Sequence, residues 1–298
     1  MINMLRKPLL FLLLLSVSLL NTELFHIQDA GAAQQTGILW RIERTGVQPS
    51  YLLGTVHSDD QRVLQLPSII REKLRHADSF VAELKMDPFS AQELGRLMFL
   101  PAGQTLPSLI GSARYQKCLP LLAQYGIPAA TAEKMQPWAV SVTLSMPKSR
   151  TGMVLDQQLY QDAEMQGKQT YGLESNREQI AVFESFSLQQ QIMILDDALA
   201  EFDRLPMLFD ELLHYYLQRD LTGLERISEK YMQQGNHQIA KIFKQKALLD
   251  RNYLMVRRMQ VRLLEGNSFI AVGALHLPGD EGILRLLEKE GYKVTAVY

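Results

Sequence analysis

Two histidines in this sequence follow a glycine at the same spacing, and each lies just after an apolar segment typical of a β-strand. The first Gly-x-x-His motif runs from Gly54 to His57 and the second from Gly273 to His276. With 18 Gly and 6 His among 298 residues, about 0.4 such matches are expected by chance. One match would carry no information, whereas two matches after two predicted strands indicate a pair of functional side chains.

Two glutamates occupy comparable positions at the ends of predicted strands. Glu83 lies near the end of the segment 79–84, and Glu174 ends the segment 169–174. Ligands of α/β sheets bind in the crevice outside the carboxyl ends of the strands. We therefore expect the histidines and one or both glutamates to converge there. Imidazole and carboxylate groups bind divalent metal ions, and such a site would leave positions open for water and substrate.

Each of these residues also has a purely structural interpretation. A histidine at a strand end can simply hydrogen-bond a loop carbonyl. Glu174 is followed by Ser-Asn-Arg-Glu, so it is equally well placed to belong to a helix N-terminus. Asp156, four residues after Gly152, fits the start of a helix. The sequence pattern leaves both interpretations open.

Several classes of protein are excluded by absent motifs or by composition. The sequence has no His-Glu-x-x-His zinc motif, no Gly-x-Ser-x-Gly elbow and no phosphate-binding Gly-rich loop. The formal net charge is −1 and 21% of residues are charged, so nothing favours nucleic acid or an anionic membrane as a partner. A single cysteine, Cys118, excludes an internal disulfide. Its apolar surroundings predict a small buried hydrophobic residue rather than a nucleophile.

Local patterns predict an α/β protein. Helices are expected from Pro67, over 155–165, over 176–265 with breaks near Pro206, Gly223 and Gly235, and over 278–290. Prolines divide 88–150 into short helices and turns. Predicted strands cover 37–44, 51–53, 79–84, 169–174, 268–272 and 292–297.

Two parts of the sequence share one order of elements. Residues 51–84 and 268–298 both give a strand, a Gly-x-x-His motif, a loop, a helix preceded by Leu-Pro, and a strand. We interpret them as matching βα units whose histidine-bearing strands are close neighbours in one mixed sheet. Residues 88–265 are then a large, mostly helical insert between the units.

The N-terminal segment is typical of a secretory signal peptide. Arg6 and Lys7 precede an apolar run, Leu9 to Leu20, which is too short to span a bilayer comfortably. Ala30-Gly31-Ala32 offers a cleavage site of small residues. We therefore predict a signal peptide over 1–32 and export, to a periplasm of the Gram-negative type, with no membrane span after cleavage. An uncleaved signal anchor is the alternative that this pattern favours less.

The ordered motifs resemble those of the TraB/GumN family, which includes the Tiki Wnt-inactivating proteases. The match spans nearly the whole chain after the signal segment. It rests on four stretches, which are 52–57, 80–84, 172–174 with Gln179, and Arg251-Asn252 followed by 269–276.

This resemblance implies one domain over 33–298, with a fold related to the erythromycin-esterase and ChaN-like group. In the Tiki branch it implies a peptidase that depends on a divalent metal, preferably manganese or cobalt. Zinc is a third candidate ion. Carried over to this chain, the core of the site would be His57, Glu83 and His276, with Arg251 stabilising developing negative charge. Glu174 and Asp156 would be further candidate metal ligands.

Three functions follow as alternatives. The first is an exported metal-dependent hydrolase, a peptidase in its most specific form, acting on a peptide or small molecule. The second is a metal-free hydrolase in which one histidine is the general base, as in erythromycin esterases. The third is a protein that uses the same histidines to bind haem or a metal ion, as the relationship to ChaN implies.

Overall fold

The computed structural model describes residues 35–149 and 151–298. The predicted signal segment, 1–32, lies outside the described residues. Among the residues that are described, no helix combines the length and the hydropathy of a bilayer-spanning segment.

The sheet is mixed. Its order is β4-β3-β5-β2-β1-β6, in which β4, β3, β5 and β2 run parallel and β1 is antiparallel to both of its neighbours. The predicted α/β class is confirmed. Within the described residues the six strands are β1 Leu39–Glu43, β2 Ser50–Thr55, β3 Ser79–Leu84, β4 Gln169–Glu174, β5 Ser268–Gly273 and β6 Lys293–Ala296.

Helices fill most of the chain between β3 and β5. The described α-helices are α1 Gln61–Leu64, α2 Ser68–His76, α3 Pro88–Leu97, α4 Leu106–Ile110, α5 Ser112–Ala123, α6 Ala129–Ala132, α7 Pro137–Ser145, α8 Leu155–Met165, α9 Asn176–Glu184, α10 Leu188–Glu201, α11 Leu205–Leu217, α12 Leu221–Met232, α13 His237–Phe243, α14 Asp250–Glu265 and α15 Ile283–Lys289. Short 3₁₀ turns occur at Phe202–Arg204 and Ala274–His276, and a π-helical turn, Lys244–Leu249, joins α13 to α14.

Two predicted helix boundaries are wrong. The helix expected from Pro278 begins only at Ile283, after turns, with Gly282 as its N-cap. The break expected near Gly223 lies earlier, because the Asp220 side chain caps α12 by accepting from the Gly223 N–H at 2.8 Å. Gly223 therefore belongs to the first turn of a helix. At Gly223 the cap supplied by Asp220 outweighed the helix-breaking tendency of glycine, whereas the Gly282 N-cap of α15 makes no side-chain hydrogen bond.

The two predicted βα units meet as expected. β2 and β5 are parallel neighbours, with Gly54 opposite Val272 and Thr55 opposite Gly273. The strands that lead to His57 and His276 therefore end side by side. Leu52 and Leu53 are both fully buried although they face opposite sides of β2, which shows that both faces of the sheet are covered.

The apolar interior is divided into clusters. One cluster joins the strands to side chains from helices that include α2, α8, α12, α14 and α15. A second lies within the helical insert and contains Cys118, which is fully buried. Burial raises the pKa of the Cys118 thiol to about 11, so the interpretation of this residue as a buried hydrophobic residue is confirmed.

Gly54 lets the two motifs approach each other. A Cβ at this position would lie 2.7 Å from Leu277 Cδ1 and 3.0 Å from the Cα of Ala274. We expect Gly54→Ala to destabilise the protein by about 1–3 kcal/mol, since the backbone of Ala274 cannot shift without moving the second motif.

Urea unfolding measures this cost. The matched control is Gly95→Ala in α3, where a Cβ would meet no atom within 4 Å. That change is expected to be neutral or to stabilise by up to about 1 kcal/mol. Equal unfolding midpoints for the two variants would contradict a tight contact between the motifs.

Candidate functional site

A buried cluster of two glutamates and one arginine lies at the carboxyl ends of β3 and β4. Arg251 Nη2 donates to Glu83 Oε2 and to Glu174 Oε2, both at 2.7 Å. Arg251 Nε donates to both oxygens of Glu174, at 2.9 and 3.0 Å. The Glu174 side chain has no exposed surface and that of Arg251 is 17% exposed. This charge-assisted network is therefore largely shielded from water.

The local backbone explains why Arg251 reaches both carboxylates. It occupies the first turn of α14, directly after the π-helical turn, and its Nη1 donates to the carbonyl of Ala247 in that turn at 3.1 Å. Single π turns inside helices are frequent at functional sites. On α9, the amide Nε2 of Gln179 also lies between the carboxylates, 3.3 Å from Glu83 Oε2 and 3.1 Å from Glu174 Oε2.

Glu83 is held ionised by its surroundings. Burial alone would raise its pKa, but the charge of Arg251, with contributions from His276 and the Gly273 N–H, lowers that pKa to about 2. The Gly273 N–H donates to Glu83 Oε1 at 2.6 Å. In the same way, the two carboxylates outweigh burial and raise the pKa of Arg251. Glu83 is therefore negatively charged at neutral pH.

His276 lies beside the same carboxylate. Its Nε2 is 3.7 Å from Glu83 Oε1, and its Nδ1 is 2.6 Å from Oδ1 of the fully buried Asn252. Burial lowers the pKa of His276 to about 4, against the opposing charge of Glu83. Gly273 leaves room for this approach, because a Cβ there would lie 3.3 Å from Glu83 Oε1 and 3.5 Å from His276 Cδ2.

His57 is the more accessible of the two histidines, with a side chain that is 49% exposed. Its Nδ1 lies 3.5 Å from Asp156 Oδ2, and Thr55 Oγ1 donates to the other oxygen of Asp156 at 2.5 Å. Burial lowers the pKa of His57, but the hydrogen bond and charge of Asp156, with the charge of Glu83, raise it overall. The two motifs follow adjacent strand ends, because Thr55 of β2 pairs with Gly273 of β5.

The structure thus places the predicted site residues in two groups at the ends of neighbouring strands. His57 pairs with Asp156, whereas Arg251 and His276 surround Glu83. Glu174, a candidate metal ligand, has both oxygens bound by Arg251. Arg251 directs Nε, Nη1 and Nη2 at protein oxygens, so in this arrangement it holds the glutamates in place.

Within 35–149 and 151–298, no three or more His, Cys, Asp or Glu side chains are grouped so that they could hold a metal ion.

Three contributors were not predicted as site residues. Asn252 contacts His276, Gln179 bridges the glutamates, and Thr55 orients Asp156. Each lies in or beside a stretch that carries the family resemblance, and that position was the only available signal. Polar side chains of these types occur throughout the sequence, so type alone did not distinguish them.

The model of the TraB/PrgY/gumN family matches residues 38–296. The chain belongs to the TraB/PrgY/gumN family. The resemblance predicted from the motifs is therefore confirmed, and the match extends from β1 to the end of β6.

Relatives of two kinds were found for this TraB/PrgY/gumN protein. Metalloprotease TIKI1 of Danio rerio is 28% identical over 310 residues, which cover 86% of this chain and 62% of the relative. Metalloprotease TIKI1 of Homo sapiens is 25% identical over 316 residues, covering 88% and 62%. Uncharacterized protein YbaP of Escherichia coli (strain K12) is 24% identical over 246 residues, covering 80% and 87%.

The chain spans about 60% of the length of these TIKI relatives. No solved structure matches it. The predicted kinship with the erythromycin-esterase and ChaN-like fold therefore stays a prediction, while the mixed α/β architecture rests on the strands and helices themselves.

Proposed function

We propose that this protein is a metal-dependent hydrolase, most simply a peptidase, in which His276, Glu83 and His57 hold a divalent cation. The observation that carries the proposal is the 3.7 Å separation of His276 Nε2 and Glu83 Oε1 at the carboxyl ends of neighbouring strands. The TIKI relatives are named metalloproteases, which supports the reaction class. Manganese, cobalt and zinc are the candidate ions, and a peptide or a small molecule is the candidate substrate.

The chemistry of these donors fits a divalent cation. Atoms that each lie about 2.0–2.2 Å from one ion are about 3.0–3.6 Å from each other, close to the 3.7 Å between His276 Nε2 and Glu83 Oε1. Glu83 Oε1 accepts from the Gly273 N–H and retains a second lone pair. Catalytic sites commonly have three protein ligands. His57, half-exposed just after the neighbouring strand β2, is the third candidate. It would have to turn away from Asp156 to join the pair, because the described residues as they stand form no group of three such ligands.

The surrounding residues prepare these donors. Arg251 keeps Glu83 ionised, and burial keeps His276 neutral at pH 7, so that both can act as ligands. A divalent cation, when bound, would polarise a substrate carbonyl and lower the pKa of a water molecule.

Metal analysis by mass spectrometry tests the proposal. We expect near-stoichiometric metal in the parent protein, and loss of that metal in His57→Ala and in His276→Ala. The matched control is His76→Ala, which removes an exposed histidine at the end of α2 and should retain the metal. Peptide hydrolysis with added manganese, cobalt or zinc should then disappear on chelation. Hydrolysis that survives complete metal removal would refute the metal-dependent mechanism.

One observation favours a metal-free hydrolase as the second candidate. The linked series Thr55, Asp156 and His57 has the form of a general base oriented by a carboxylate. In that case hydrolysis should continue after chelation and should still require His57. The haem-binding alternative stays a prediction, which a visible absorption band on addition of haem would support.

The proposal includes export to the periplasm. It is supported by the basic residues Arg6 and Lys7, the apolar run Leu9 to Leu20 and the small residues before Ala33. Cell fractionation with N-terminal sequencing tests it, and a cytoplasmic protein that retains its first 32 residues would refute it.

A further inference from the structure

Asn252 is a fully buried amide that lies between the second motif and the loop that follows it. It is next to Arg251 at the start of α14, yet it points to a different partner. Its Oδ1 lies 2.6 Å from His276 Nδ1, and its Nδ2 donates to the backbone carbonyl of Glu281 at 2.8 Å. Both ends of the amide are therefore engaged inside the protein.

The carbonyl of Glu281 determines which way this amide faces. A carbonyl oxygen can only accept a hydrogen bond, so the amide group that faces it must be the NH₂ of Asn252. The other end is then the Asn252 oxygen, which also can only accept. The nitrogen of His276 that faces this oxygen must therefore carry a proton.

This assignment has a consequence at the other nitrogen of His276. A neutral imidazole has one protonated nitrogen, so Nε2 presents its lone pair. Nε2 lies 3.7 Å from Glu83 Oε1, another electron-pair donor. Two electron-pair donors that face each other repel, and a cation bound between them would replace this repulsion by attraction. A fixed tautomer thus makes this pair suitable for a cation.

We propose that Asn252 is a positioning residue that holds His276 in the tautomer with the proton on Nδ1, so that the Nε2 lone pair is directed towards Glu83. The part that concerns a cation rests on the proposed function, whereas the tautomer does not. Partners of metal-binding histidines often act in this way, and their removal typically weakens metal affinity by about 10–100-fold.

The tautomer can be observed directly in the full protein. Two-bond ¹H–¹⁵N correlation spectra of histidine-labelled protein report which ring nitrogen is protonated. We expect a protonated Nδ1 for His276 in the parent protein. Asn252→Asp keeps an oxygen acceptor and should keep this tautomer, whereas Asn252→Leu removes the acceptor and should give a mixture or the Nε2-protonated form.

Tyr253→Phe is the matched control. The Tyr253 hydroxyl donates to Glu281 Oε1 at 3.0 Å, so its loss disturbs the same loop and leaves the contact to His276 intact. This variant should show the parent tautomer. A parent His276 protonated on Nε2, or an Asn252→Leu spectrum like that of the parent, would overturn the proposal. If the leucine variant does not fold, Asn252→Ala, which also removes the acceptor that faces His276 Nδ1, takes its place with the same expected change of tautomer.

Titration with zinc, which is diamagnetic, separates this proposal from the proposed function. We expect zinc to shift the Nε2 resonance of His276, with affinity about 10–100-fold weaker in Asn252→Leu and unchanged in Tyr253→Phe. Equal zinc affinity in Asn252→Leu and the parent would contradict a positioning role. If His276 shows the expected tautomer but no divalent ion changes its spectrum, the metal-dependent function is refuted. The role assigned to Asn252 is unaffected by that result.

Discussion

Glu83→Gln is expected to reduce metal-dependent hydrolysis by more than about 10–100-fold, the loss typical of removing even an outer partner of a metal ligand. The amide has nearly the same size, but it removes the negative charge that lies beside His276 and interacts with Arg251. It also removes an anionic donor from the proposed cation site. Steady-state kinetics at saturating manganese, cobalt or zinc measure the loss, and binding titrations should show weaker metal affinity in parallel.

The matched control for this change is Glu178→Gln. Glu178 also pairs with an arginine, Arg258, at 2.7 Å, and its pKa is also lowered to about 2, first by the hydrogen bond from Arg258. That pair is exposed and lies on the surface side of α9, so its loss should leave hydrolysis nearly unchanged. Full metal-dependent activity in Glu83→Gln would remove Glu83 from the site.

Arg251→Met is expected to lower the free energy of unfolding by about 3–5 kcal/mol at neutral pH. The guanidinium is the group that both Glu83 and Glu174 contact at 2.7 Å, and the Glu174 side chain is fully buried. Without it, two carboxylates face each other without a counter-charge. Urea unfolding measures the change, and adding Glu174→Gln to the variant should restore part of the stability.

Arg258→Met supplies the comparison. Arg258 makes a similar pair with Glu178, but both side chains are more than a third exposed, so its loss should cost about 1 kcal/mol or less. A large loss in both variants, or in neither, would contradict the view that burial makes the Arg251 cluster important.

The cost of Arg251→Met should depend on pH. In the parent protein, the pKa of Glu83 is lowered from 4.5 to about 2. The stabilisation linked to this shift is fully present above about pH 4.5 and is lost as the pH falls towards 2. The difference in stability between parent and variant should therefore be largest near neutrality and decrease on acidification. A difference that is constant with pH would contradict an electrostatic cause.

The pairing of the two motifs was predictable from sequence because it depends on local order. Each motif follows an apolar strand, and the carboxyl ends of parallel strands meet at one edge of a sheet. The repeated arrangement of elements therefore predicted that His57 and His276 share an edge, and the parallel pairing of β2 with β5 confirms it. The strand segments were predictable for the same reason, because β-periodicity is a short-range property.

The partners of those residues were decided by tertiary structure. Arg251 is 168 residues from Glu83 and 77 from Glu174, and Asp156 is 101 residues from Thr55. A charged or polar side chain becomes a specific partner only where burial removes water and the fold brings a second group within hydrogen-bond distance. The sequence by itself therefore determined which strand ends carry the histidines. The positions of α8, α9 and α14 in the fold decided which side chains hold the histidines and Glu83 in place. These side chains are Asp156, Gln179, Arg251 and Asn252.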